Sequence, residues 1–224
     1  MSKELEKQEI DKNSKKYKFV AGKGVMNLPN KLTISRMVMI PVFMVFYLVQ
    51  FTGHYFVALA VFAIACLTDL FDGKIARKYG LVTNLGKFLD PIADKVLVLS
   101  ALVMFLTNPI LITYAVGLEA GNLILGIGIA IILAREIIVS GFRMVAASSG
   151  NVIAADIFGK YKTVCQDIAV VVLIICAGLY EIVGLEFAVE VINYIGIGFF
   201  GLAVLLTIIS GINYIVKNIE VLKK

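Results

Sequence analysis

The chain has 224 residues, of which 60% are apolar and 17% charged, and its mean hydropathy is +0.93. A soluble domain is about half apolar and about a quarter charged, so this composition excludes a soluble enzyme, a disordered chain and a collagen-like fibre, and leaves an integral membrane protein. The net charge of +5 and the pI near 9.0 then point to membrane topology and anionic lipid rather than to nucleic acid.

Residues 1–26 are polar, with seven Lys and four acidic residues ahead of Met26. They hold no apolar stretch and no cleavage site, so they do not read as a signal peptide. They read as a frayed cytoplasmic tail whose Lys15, Lys16, Lys18 and Lys23 can touch acidic headgroups, each worth ~1 kcal/mol at most. Residues 27–224 read as one membrane domain. A spanning helix needs about 20 apolar residues, and six apolar runs follow: roughly 32–51, 55–71, 92–111, 120–145, 164–183 and 187–216. Helices close their own backbone hydrogen bonds in lipid, so the predicted class is all-α, a bundle of six transmembrane helices. Pro41 is expected to kink the first. Cys66, Cys165 and Cys176 lie in apolar runs and are odd in number, which argues for small-residue filler rather than a disulfide framework.

The basic residues fall in the tail, around 74–95, around 135–162, after 216, or, as Lys31 and Arg36, at the start of the first run. The connectors 50–54, 107–122 and 178–190 carry no Lys or Arg, but hold Glu119, Glu181, Glu186 and Glu190. This positive-inside pattern places both termini in the cytoplasm. His54, in the first outer connector, reads as a plain interfacial residue.

Charges at the ends of spans are costly and therefore functional candidates. Asp69 and Asp72 end the second run, and Asp90 and Asp94 open the third. Spacings of three and four put each pair on one helix face, and two antiparallel helices with a short connection bring the pairs together. Four carboxylates in one place cannot all ionise without cations. Oxygen ligands without Cys or His suit Mg²⁺ or Mn²⁺. Between the pairs, Gly73 and Ala76 leave room against the helix, Arg77 offers a forked cation for a phosphate oxygen, and Gly86 permits close approach. Together these suggest a nucleoside diphosphate.

The spacing D-x2-D-G-x2-A-R-x8-G-x3-D-x3-D, from Asp69 to Asp94, resembles the signature of the CDP-alcohol phosphatidyltransferases at every fixed position. Three further segments resemble the phosphatidylglycerophosphate synthase branch of that family: Met26 to Thr33 with Arg36, Ala134-Arg135-Glu136 with Arg143, and Gly159 to Thr163. The likeness covers about residues 26–216. It does not extend to the lysine-rich tail. It implies an active site at the cytoplasmic membrane boundary with two divalent cations. Asp69, Asp72 and Asp90 would be metal ligands, and Asp94 both a ligand and the base toward the acceptor hydroxyl. Asn30, Asp72, Gly73, Ala76, Arg77, Thr83 and Gly86 would hold CDP-diacylglycerol. It also implies a homodimer.

For the acceptor, Arg135, Arg143 and Lys160 gather near the cytoplasmic side of the fourth and fifth runs. Such a cluster suits a phosphate, and sn-glycerol 3-phosphate carries one. Lys162 reads as a snorkelling anchor, and Glu136 as the partner of an Arg. Other acceptors, inositol 3-phosphate or phosphatidylglycerol, remain alternatives within the enzyme class. A cation transporter is the alternative outside it, although transporter sites lie near the midplane and these Asp lie at span ends.

Overall fold

The computed structural model describes residues 27–79, 84–108, 118–148, 157–184 and 187–218, with side chains described at all of these except 70–79, 84, 85, 87, 88, 118, 119, 147 and 148. The tail and the connectors around 109–117 and 149–156 lie outside the described residues. The described chain is all-α, with six helices: α1 Leu28–Leu48, α2 His54–Tyr79, α3 Asn84–Phe105, α4 Leu118–Ser148, α5 Ile157–Val183 and α6 Phe187–Asn218.

Local chemistry sets the helix ends. Asn27 caps α1, its Oδ1 accepting the Asn30 N–H at 3.1 Å. Pro29 sits in the first turn, where its missing N–H has no helical acceptor to lose. Two glycines adopt left-handed backbone: Gly53 at φ 84° before α2 and Gly184 at φ 80° after α5. The Gly184 N–H donates to the Tyr180 carbonyl at 2.9 Å and closes the end of α5.

Among the described residues, four helices are long and apolar enough to cross a membrane: Leu28–Leu48, Ala120–Ala146, Ile157–Val183 and Phe187–Asn218. In α2 the apolar part, His54–Asp69, is shorter. The helix ends do not coincide with the ends of the apolar runs that announce them. α2 continues past Phe71 to Tyr79, and α3 begins at Asn84 and ends at Phe105, where the run reads 92–111. Hydropathy reports contact with lipid, whereas the helix continues through the polar motif residues. α1 runs through Pro41.

The chain divides into two compact units, one of residues up to Phe46 with Ala60–Leu97, the other of Tyr47–Leu59 with residues from Val98 onward. In the first, Ile40, Phe43, Phe62, Ala65, Ala93 and Leu97 are buried, and the Phe43 and Phe62 rings stand 5.7 Å apart. In the second, α5 and α6 pair antiparallel. Asn193 Nδ2 donates to Cys176 Sγ at 3.5 Å, and a Cβ at Gly196 would meet Leu173 at 2.7 Å, so three residues forward on α6 is three back on α5. Gly128 of α4 lies against Phe200 of α6. Small residues at such crossings let helices approach where lipid supplies no hydrophobic drive. Exposed Val38, Leu123, Ile137, Met144 and Phe187 suit contact with acyl chains.

Candidate active site

In the first unit, α1 carries a polar stripe. Asn27, Asn30, Thr33 and Arg36 follow at intervals of three and are all buried, Arg36 completely. Residues at that spacing share one helix face. Arg36 Nη1 lies 2.6 Å from Asp69 Oδ1 of α2. Thr33 Oγ1 lies 2.6 Å from Asp90 Oδ1 of α3 and donates to it. The same hydroxyl stands 3.1 Å from the Pro29 carbonyl. Because Thr33 and Arg36 are one turn apart on that face, Asp69 and Asp90 come from two helices to one face of α1.

Asp94 follows Asp90 by one turn on α3 and is exposed. Gly86 is buried in the first turn of α3, and Asn30 is buried on α1. Asp72, Gly73, Ala76 and Arg77 lie on α2, but their side chains are outside the described residues, as is Thr83 altogether. Among the described residues, no three His, Cys, Asp or Glu side chains close on a point. The chemistry of the donors nevertheless fits a hard divalent cation, since carboxylate oxygens are its preferred ligands. The carboxylate of Asp69 already draws a buried guanidinium to 2.6 Å, as a group that requires positive charge beside it. Sequence reasoning passed over Thr33 and Arg36 as site residues. The available signal was two polar residues one turn apart in an otherwise apolar run.

The second unit holds the other cluster. Glu136 Oε1 receives a hydrogen bond from Arg135 Nη1 at 3.1 Å and another from Lys162 Nζ at 2.8 Å. Arg135 threads between α5 and α6. A Cβ at Gly159 would come within 3.2 Å of its Nη2, and one at Gly211 within 3.2 Å of its Cγ. Lys160 is exposed. Arg143 is also exposed, its guanidinium carbon 5.8 Å from the centroid of the Tyr214 ring, a cation–π distance. Glu136 does pair with an Arg, as its sequence position suggested, but it pairs with Lys162 as well. The reading of Lys162 as a snorkelling anchor is corrected. Its side chain is 3% exposed and ion-paired, because α5 carries it against α4 instead of out to the headgroups. His54, read as a plain interfacial residue, is likewise buried at 6% exposure, with its Nε2 3.9 Å from Glu181 Oε2.

Comparison with known proteins places these positions in context. A family model described as CDP-alcohol phosphatidyltransferase matches residues 26–210. A Bacillus subtilis (strain 168) protein named CDP-diacylglycerol--glycerol-3-phosphate 3-phosphatidyltransferase is 37% identical over 211 residues, covering 89% of this chain and 98% of its own. Proteins of the same name from Rickettsia bellii (strain RML369-C) and Shigella flexneri serotype 5b (strain 8401) are 36% identical over 188 residues and 34% over 191. Each alignment covers 84% of this chain and 93% of the relative.

Proposed function

The chain belongs to the CDP-alcohol phosphatidyltransferase family, and from that premise we propose that it transfers the phosphatidyl group of CDP-diacylglycerol to sn-glycerol 3-phosphate, giving phosphatidylglycerophosphate and CMP. One observation carries the reading: the fixed positions of the Asp69-to-Asp94 signature lie on two helices whose Asp69 and Asp90 meet one buried polar face of α1. The 37% identity to the Bacillus subtilis enzyme supports the choice of acceptor.

Asp69, Asp72, Asp90 and Asp94 would hold two divalent cations, Mg²⁺ or Mn²⁺. When bound, these would neutralise charge on the diphosphate oxygens and on the departing CMP. The chain's own residues do the rest. Arg36 fixes the carboxylate of Asp69, and Thr33 that of Asp90, so neither has to be ordered when substrate arrives. Asn30, Asp72, Gly73, Ala76, Arg77, Thr83 and Gly86 hold the CDP part. Arg135, Arg143 and Lys160 replace the hydration of the acceptor's phosphate with charge-assisted donors. Asp94 takes the proton of the attacking hydroxyl as its oxygen bonds to the β-phosphorus and the bond to CMP breaks. The six helices span the membrane with both termini and the 1–26 tail cytoplasmic. The diphosphate then faces water at the cytoplasmic boundary while the acyl chains stay in lipid. The enzyme works as a homodimer.

The test is purified protein with CDP-diacylglycerol and a panel of acceptors, reading released CMP and identifying the lipid product. Cation-dependent phosphatidylglycerophosphate is expected. Arg143→Ala should raise the KM for glycerol 3-phosphate about ten- to a hundredfold, the loss of one hydrogen bond to a charged group, with the KM for CDP-diacylglycerol unmoved. A product formed only from inositol phosphate or phosphatidylglycerol overturns the acceptor. Absence of CMP release with every acceptor overturns the activity.

A further inference from the structure

The second unit contains a pocket of about 440 Å³ that the reaction does not use. It lies where the C-terminal ends of α1, α3 and α5 meet the start of α2. None of the residues that line it belongs to the aspartate motif. Its walls include Tyr47, His54, Tyr55, Asn108, Tyr180 and Glu181 and, among the described residues, no Lys or Arg.

The lining is held in place. Glu181 Oε1 accepts the Gly53 N–H at 3.0 Å, a contact that depends on the left-handed backbone of Gly53. Glu181 Oε2 is 3.9 Å from His54 Nε2. The Tyr55 hydroxyl accepts a hydrogen bond from Asn108 Nδ2 at 2.6 Å. The Tyr47 and Tyr55 rings meet edge-on with centroids 5.1 Å apart. Tyr47 and His54 are buried and form the floor, whereas Gln50, Thr107 and Glu181 are exposed at the rim.

This chemistry selects a ligand. An anion entering here would lose its hydration and find a carboxylate, with no Lys or Arg among the described lining residues to replace it. A carboxylate beside several tyrosines instead offers ionic pairing, hydroxyl acceptors and the negative faces of aromatic rings, the combination that recognises organic ammonium groups. The volume exceeds that of a bare ammonium and accommodates an ethanolamine-sized group. We propose that this pocket binds a primary ammonium group, carried either by the headgroup of an aminophospholipid or by a free small amine. It is a second binding site, distinct from the substrate site, with Glu181 as its anchor.

The experiment uses the full chain in nanodiscs of phosphatidylglycerol alone, or of phosphatidylglycerol with equal phosphatidylethanolamine, followed by release into detergent and native mass spectrometry. Wild type is expected to retain one phosphatidylethanolamine per chain in preference to phosphatidylglycerol. E181Q, which keeps an acceptor for the Gly53 N–H but loses the charge, should retain about tenfold less or lower still, with CMP release from CDP-diacylglycerol unchanged. Free ethanolamine separates the two sources. If it binds wild type and displaces the lipid, the ammonium group alone is read. If it binds wild type and no phosphatidylethanolamine is retained, the ligand is a free amine. Wild type that retains neither, or retains both lipids equally, overturns the proposal. So does E181Q that matches wild type in amine or lipid binding. Loss of CMP release in wild type would instead count against the proposed activity and leave this site's result standing.

Discussion

Arg36 is completely buried, while its counter-charge, the Asp69 side chain, keeps 38% exposure. The two carboxylates on the α1 face are therefore not equivalent. Removing Asp69 takes a carboxylate 2.6 Å away from a guanidinium in a dry setting. Removing Asp90 leaves a hydroxyl that still has the Pro29 carbonyl within 3.1 Å. Taking one partner from a buried pair costs about 3–5 kcal/mol, and partial solvent at Asp69 puts this case near ~3 kcal/mol. Asp69→Asn should thus melt several degrees below wild type in detergent. Asp90→Asn should lose no more than about 1–2 kcal/mol, the scale of one hydrogen bond. Both should lose CMP release. Equal melting temperatures for Asp69→Asn and wild type would show that Arg36 does not depend on Asp69. The aspartates were legible in the sequence because their chemistry is written in fixed spacing. Thr33 and Arg36 were not, because topology already accounts for a cation at the start of a span. Only the approach of α2 and α3 gives these two residues their work.

At the scale of helices, Glu136 joins α4 to α5. It neutralises Arg135 beside it on α4 and Lys162 on α5. Glu136→Gln removes the carboxylate that both cations share, whereas Lys162→Met leaves Glu136 with Arg135. The first substitution should therefore cost more than the second, toward the ~3–5 kcal/mol of a broken buried pair. The double variant should lose less than the sum. Additive losses in thermal melts would mean that the pair is not coupled. Helix contact also depends on glycine. A Cβ at Gly128 would stand 2.7 Å from Phe200 Cζ, whereas one at Gly126 meets nothing within 4 Å. A phenyl ring cannot fold away as an aliphatic tip can. Gly128→Ala should thus destabilise by about 1–3 kcal/mol as an overpacked contact, and Gly126→Ala should be neutral or gain up to about 1 kcal/mol from helix propensity. Equal melts for the two would remove the α4–α6 contact from the account. Neither the Glu136–Lys162 pair nor the Gly128 contact was readable in advance, since both depend on helix rotation, which apolar runs this long leave undetermined.

For the whole molecule, the distribution of basic residues predicts which ends share a side. In a background with Cys66, Cys165 and Cys176 replaced, Thr52→Cys should react with a membrane-impermeant maleimide on intact cells. Lys87→Cys should react only after permeabilisation. Reaction of both from outside would mean that the short apolar stretch His54–Asp69 does not cross. The number of helices and their all-α class were legible because each apolar run needs a closed backbone in lipid. Their ends were not, because α2 and α3 carry their polar residues on continuing helix. The position of Arg135 bears on how the protein is made. Its cover at Gly211 is translated about 75 residues later, some 4–15 s at ordinary ribosomal rates. For that interval α4 must enter the bilayer with a guanidinium that α6 cannot yet shelter. Glu136, the very next residue translated, is its companion from the outset. The Arg–Glu dipeptide thus lets a helix be delivered to the membrane before the partners that will enclose its charge exist.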